Sequence, residues 1–295
     1  MNWAEGFIAV DWGTTNRRAY RLSSGGELSD EIEDGLGILS VDPGGYPDAV
    51  QMIRERLGDL PLLLAGMVGS NRGWVEAPYV PCPAGPSDLA RHLVWVEPGR
   101  VAIVPGVSLD ANGEADVMRG EEVQILGAHA AGLIDPDALV CHPGTHNKWI
   151  RLRQGKIVTF RTVMTGELFS LLREHSILAD LLEGEAKPGP AFDAGVRHGL
   201  DHDDLLAELF SVRARILLGK QPRDEASDYT SGLLIGSDLR IGLRGTGPGE
   251  VVAMGRPELT RLFAAALRDA RREAREVDGE EAFLAGARHL AELAT

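Results

Sequence analysis

The feature that most restricts the fold is a short arrangement that occurs twice: an apolar strand, a loop of glycine and hydroxyl residues, and a second strand. The first copy, residues 7 to 22, runs FIAVDWGTTNRRAYRL; the second, residues 138 to 162, contains VCHPGTHNKWIRLRQ. Period-two alternation and turn residues mark both as hairpins. In the first loop, Asp11 ends its strand, where a carboxylate can hold Mg²⁺, usually through water. Gly13 permits close backbone approach, and Thr14 and Thr15 offer N–H and hydroxyl donors to phosphate. The second copy has the same ingredients, and two such hairpins facing each other would clamp a triphosphate. The plainer alternative is a pair of turns whose polar side chains satisfy their own backbone.

The rest of the chain supplies strands and helices in alternation. A helix is expected from Pro47 to Leu57, a buried strand at Leu62 to Ala65, and a glycine-rich loop, GMVGSNRGW. Pro78 to Pro86 breaks regular structure. The polar run SLDANGEAD is the expected domain junction, dividing the chain into residues 1–108 and 109–295. Beyond it come a helix over Gly120–Ala131, a strand ending at His142, and two strands joined at a Gly155-Lys156 turn. Helices are expected over 167–178, 203–218 and 228–243, then the strand EVVAM and a long helix from Pro257 to Arg275.

Composition excludes several functions. Thirty Lys and Arg against 44 Asp and Glu leave a net charge of −14 in 295 residues, unsuited to a nonspecific grip on nucleic acid or an anionic membrane. Cys82 and Cys141, far apart, suit a reducing compartment and form no disulfide framework. Cys141, His142 and His146 crowd one hairpin and lack a fourth ligand, against a zinc site. No apolar run reaches 18 residues and no secretory leader opens the chain, so a cytoplasmic location is expected. No GxxxxGK[ST] motif occurs, and GTGPG at 245–249 precedes a strand instead of following one, against a dinucleotide site.

Six blocks, AVDWGTTNRRAY, AGMVGSNRGWVEAPYVPCPAG, DVMRGEEVQILGA, HPGTHNKWI, TVMTGELFSLL and SGLLIGSDLR, lie in one order between residues 9 and 240. In these blocks the chain resembles the 2-dehydro-3-deoxygalactonokinases of the actin, sugar kinase and Hsp70 superfamily. The resemblance implies an α/β, two-lobed, actin-like (ribonuclease H-like) fold with an active-site cleft between the lobes. It also implies transfer of the ATP γ-phosphoryl group to the 6-hydroxyl of 2-dehydro-3-deoxy-D-galactonate, and leaves room for a homodimer. By it, Asp11 binds Mg²⁺, and Gly13, Thr14, Thr15 and Asn16 hold phosphates together with Gly144, Thr145, His146 and Asn147. Gly255 begins the adenosine-side turn, with one glycine where many relatives have two.

Related sugar kinases place the general base in a Gly-Asp-Gln helix start, which is Gly120-Glu121-Glu122 here. Glu121 is the first choice and Asp116 its rival; the alternative is that both glutamates complement the positive end of a helix. An acidic chain binding ATP and a sugar acid must gather its cations, and Arg17, Arg72, Arg119, Lys148 and Arg161 fall in or beside the blocks. Arg72 is the candidate for the substrate carboxylate, with its planar guanidinium. Trp74 and Glu76 are candidate sugar contacts, and Glu167, after the helix-capping Thr165, is a further one.

Overall fold

The computed structural model describes residues 3–111 and 113–294, except the side chain of Ala4; Met1, Asn2, Asn112 and Thr295 lie outside the described residues. Two compact units are present. The first comprises residues 1–137, 152–159 and 279–295, and the second residues 138–151 and 160–278.

In the first unit, β1 (Phe7–Trp12) is apolar along nearly its whole length because it is central, with neighbours on both edges. It pairs antiparallel with β2 (Arg17–Leu22), which pairs antiparallel with the exposed edge strand β3 (Leu28–Asp34). α1 (Tyr46–Leu57) has Pro47 in its first turn and stops at Gly58, whose φ of 100° favours glycine. Its buried residues Tyr46, Val50, Ile53 and Leu57 recur at helical spacing and pack against Ile8, Val10 and Leu64 in the core. β4 (Leu62–Gly66) runs parallel to β1. The proline-rich stretch expected to be irregular contains β5 (Tyr79–Pro81) and the start of α2 (Pro86–Arg91). β6 (Val94–Glu97) and β7 (Val101–Ile103) complete a sheet of order β3-β2-β1-β4-β7-β6.

The segment expected as a domain junction is a hairpin, β8 (Gly106–Ala111) with β9 (Glu114–Met118), and β5 joins it in a small sheet. Its polar composition follows from exposure along the outer half of the arm. The expected boundary at residue 108 therefore falls inside a strand, and residues 109–137 pack with the first unit, including α3 (Glu121–Ala130).

The second unit opens with β10 (Leu139–His142), β11 (Asn147–Arg153) and β12 (Lys156–Val163). The turn between β11 and β12 is Gln154-Gly155, both at positive φ, and Lys156 already belongs to the strand. Residues 152–159 count with the first unit, where Ala84 and Ile157 exchange N–H···O bonds of 3.0 and 2.9 Å. α4 (Thr165–His175), α5 (Pro190–Asp201), α6 (Leu205–Leu217) and α7 (Ala226–Gly242) follow. Next come β13 (Val251–Gly255), α8 (Pro257–Asp269) and β14 (Ala274–Asp278), so the expected long helix ends at Asp269. The sheet order is β12-β11-β10-β13-β14, with β10, β13 and β14 parallel. α9 (Gly279–Leu293) returns to the first unit and packs on α3; a Cβ at Gly127 would lie 2.2 Å from the Ala282 carbonyl.

The repetition extends beyond the two loops. Each main sheet begins with a three-strand meander and continues, from its first strand, into two parallel strands; the first sheet adds the antiparallel edge strand β6.

Candidate active site

The first loop owes its shape to the segment behind it. The carbonyls of Gly13, Thr14 and Thr15 accept from the N–H groups of Ile38, Leu39 and Gly37, at 3.0, 3.2 and 3.1 Å. A Cβ at Gly37 would come within 2.4 Å of the Thr14 carbonyl, so glycine is needed for this contact. With the acceptors turned to that segment, the exposed Thr14, Thr15 and Asn16 present donors to solvent, as an anion-binding loop requires.

Asp11 lies beside this loop at a junction of three glycine-lined backbones. A Cβ at Gly66, the end of β4, would lie 3.4 Å from Asp11 Oδ1 and 2.8 Å from the Trp12 carbonyl; one at Gly120 would lie 3.3 Å from Gly66 Cα. Both glycines have positive φ. The ends of β1 and β4 and the start of α3 thereby meet. Desolvation pushes the Asp11 carboxyl up to about 6, opposed by Arg18 and reinforced by the charge of Glu121. Glu121 is half-buried, and its Oε2 accepts from the Arg119 N–H at 3.1 Å. Glu122 is fully buried and turns both oxygens to the Gly120 N–H, at 2.9 and 2.8 Å; burial foremost, then Glu121, pushes it up to about 8. Of the two glutamates, Glu122 secures the helix start. Asp116 sits in β9, with its Oδ1 accepting from the next residue's N–H.

The candidate sugar-acid residues fall on the turn after β4. Arg72 and Glu76 are exposed. Trp74 is half-buried and stacks on Tyr46, with ring centroids 5.8 Å apart, as a packed loop tryptophan. Of the other cations, Arg17 is buried and paired with Asp34 at 2.7 Å. Arg119 is buried over the Tyr79 ring and donates to the Ala77 carbonyl at 2.7 Å. Arg161 is exposed on β12, and Lys148 is buried, with its Nζ 3.4 Å from the His146 carbonyl.

In the second unit, the loop Pro143–His146 packs on the first turn of α4. A Cβ at Gly166 would lie 2.4 Å from the Gly144 carbonyl; the Glu167 N–H donates to the Thr145 carbonyl at 2.9 Å, and His146 Nε2 meets Glu167 Oε2 at 2.5 Å. Glu167 thus braces the loop. Asn147 is fully buried at the start of β11, and its Nδ2 donates to Asp238 Oδ2 at 2.9 Å. Gly255, with φ 143°, ends β13 beside Pro143; a Cβ there would lie 3.6 Å from the Pro143 carbonyl.

A pocket of about 450 Å³ opens within this unit, lined by Gly144 of the loop, Gly166 of α4, Leu234 of α7, and Arg256, Leu259 and Phe263 beside or in α8. It joins a loop with anion-binding composition to an apolar wall, the arrangement a nucleoside phosphate needs.

Sequence reasoning missed Asp238. It stands among apolar residues of α7, inside the block SGLLIGSDLR, where nothing in the residue pattern gave it a role. Glu122, read with Glu121 as one acidic pair, has a distinct environment that only the fold discloses.

The sequence model of the family described as 2-keto-3-deoxy-galactonokinase matches residues 11–290. Over 238 residues the chain is 40% identical to the 2-dehydro-3-deoxygalactonokinase of Escherichia coli (strain K12), covering 79% of each protein. It is 34% identical over 296 residues to a Rhizobium meliloti (strain 1021) protein provisionally named 2-dehydro-3-deoxygalactonokinase DgoK1, covering 97% of this chain and 96% of that one. A Sinorhizobium meliloti crystal structure, given the same kinase name provisionally, superimposes with a TM-score of 0.90 at 33% identity, covering 98% of both chains. Component A of the Acidaminococcus fermentans (R)-2-hydroxyglutaryl-CoA dehydratase, 12% identical with a TM-score of 0.53 over 98% and 99% of the two chains, shares the fold. The architecture is that of the actin-like ATPases and sugar kinases.

Proposed function

The chain belongs to the 2-keto-3-deoxy-galactonokinase family, and we propose that it transfers the γ-phosphoryl group of ATP to the 6-hydroxyl of 2-dehydro-3-deoxy-D-galactonate. The observation that carries the chemistry is the glycine-lined junction where Asp11 meets Gly66 and the start of α3, which places the charge of Glu121 on Asp11. A desolvated carboxylate that feels a second carboxylate, beside a donor-rich loop, suits a cation and a phosphoryl group.

Among the described residues no group of three or more His, Cys, Asp or Glu forms a self-sufficient metal site. Mg²⁺ is commonly held by one or two carboxylates, waters and substrate phosphates, and the Asp11 carboxylate at the end of β1 beside the first loop fits that donor set. Bound there, the ion would offset charge on the transferring phosphoryl oxygens.

Glu121 accepts the proton of the sugar hydroxyl, and Glu122 and Gly120 fix the helix start from which it projects. Thr14 and Thr15 donate to phosphate from the first loop, and Thr145 and His146 from the second. The pocket beside Gly144 and Arg256 receives the adenosine, and Arg72 receives the sugar carboxylate bidentately. The enzyme works on ATP in the cytoplasm; among the described residues no helix is long and apolar enough to cross a membrane.

Steady-state kinetics of Glu121→Gln and Asp116→Asn test the assignment of the base. Glu121→Gln should lower kcat by about 10²–10⁴ with little change in ATP affinity, and Asp116→Asn should retain activity. The reverse pattern would move the base to Asp116.

A further inference from the structure

α7 carries one stripe of residues that line the pocket or contact the segments flanking the second loop. Ser231, Leu234 and Ile235 line the pocket; Asp238 and Gly242 follow at helical spacing. Asp238 is 1% exposed. Its Oδ1 accepts from Trp149 Nε1 at 2.6 Å, and its Oδ2 accepts from Asn147 Nδ2 at 2.9 Å and from the Thr165 hydroxyl. One carboxylate therefore ties the start of β11 to the first residue of α4, the two chain segments that leave and brace the loop 143–146. Gly242 fixes the same tryptophan independently: a Cβ there would lie 1.9 Å from the Trp149 ring. A buried acid is costly unless its lone pairs are filled, and an apolar helix interior has no packing reason to hold one.

We propose that Asp238 is a positioning residue for nucleotide binding, setting the second phosphate loop in register with the pocket lined by the same helix. It touches neither ATP nor sugar acid; it acts through Thr165, Asn147 and Trp149. The inference rests on the reading of residues 144–146 as a phosphate loop. Removing the carboxylate frees three buried donors at once, and the loop loses its anchor on both sides.

The test compares the full-length chain with its Asp238→Asn, Asp238→Ala and Gly166→Ala variants. Calorimetric binding of a nonhydrolysable ATP analogue is measured alongside the KM for the sugar acid and cooperative thermal unfolding. Asp238→Asn should weaken nucleotide binding about threefold, because the Asn147 amide can turn over to meet it, and Asp238→Ala about tenfold. The KM for the sugar acid should stay within about twofold of the parent. Gly166→Ala pushes directly on the Gly144 carbonyl and should also weaken nucleotide binding. Normal binding in both Asp238 variants with weak binding in Gly166→Ala would overturn the role of Asp238 and leave the phosphate loop standing. Normal binding in all three would remove the loop assignment and the proposal with it. Parallel loss of both substrates with non-cooperative unfolding would reduce Asp238 to a core residue and overturn the proposal.

Discussion

Asp238 shows how opposing effects settle at one residue. Three donors favour its ionised form, yet burial outweighs them and lifts the carboxyl to about 6, against an ordinary value of 3.8. Between those two values the folded protein binds the proton and the unfolded chain has released it, so this group's contribution to stability falls as pH rises from about 4 to 6. An asparagine has no such dependence. Denaturant unfolding of the parent and Asp238→Asn across this range should show the parent's advantage shrinking with pH; an advantage that grows would mean that the hydrogen bonds outweigh desolvation.

At the scale of elements, packing rests on glycines where backbones touch. Gly127 of α3 meets the Ala282 carbonyl of α9, and a Cβ would stand 2.2 Å from it, whereas a Cβ at Gly35 meets nothing within 4 Å. Gly127→Ala should cost about 1–3 kcal/mol in denaturant unfolding, and Gly35→Ala should lie within about 0.5 kcal/mol of the parent. Equal effects would show that the two helices can move apart freely. The helices themselves were legible because apolar residues recur every three or four positions, as in Tyr46, Val50, Ile53 and Leu57. The end of α8 was not, because RDARREAR holds strong helix formers and no glycine or proline; the stop comes at Arg271, with φ 55°. Both strand-loop-strand units were legible, since residue type alone marks such a turn. Asp238 was not, since its partners lie 73, 89 and 91 residues away. Asn147 followed the loop motif into the phosphate-binding set, although burial gives it a place beneath the loop.

At the scale of the molecule, two sheets repeat one topology and each presents a glycine-bearing loop after its first strand. The first unit adds Asp11 and Glu121, and the second adds the 450 Å³ pocket. The most direct measurement is the product formed from ATP and 2-dehydro-3-deoxy-D-galactonate, identified by phosphorus NMR and mass spectrometry across a panel of sugars and sugar acids. The account predicts one phosphoryl group on the 6-oxygen for each ADP released, with this substrate preferred. Turnover of ATP without a phosphorylated sugar acid, or stronger turnover on an unrelated sugar, would contradict it.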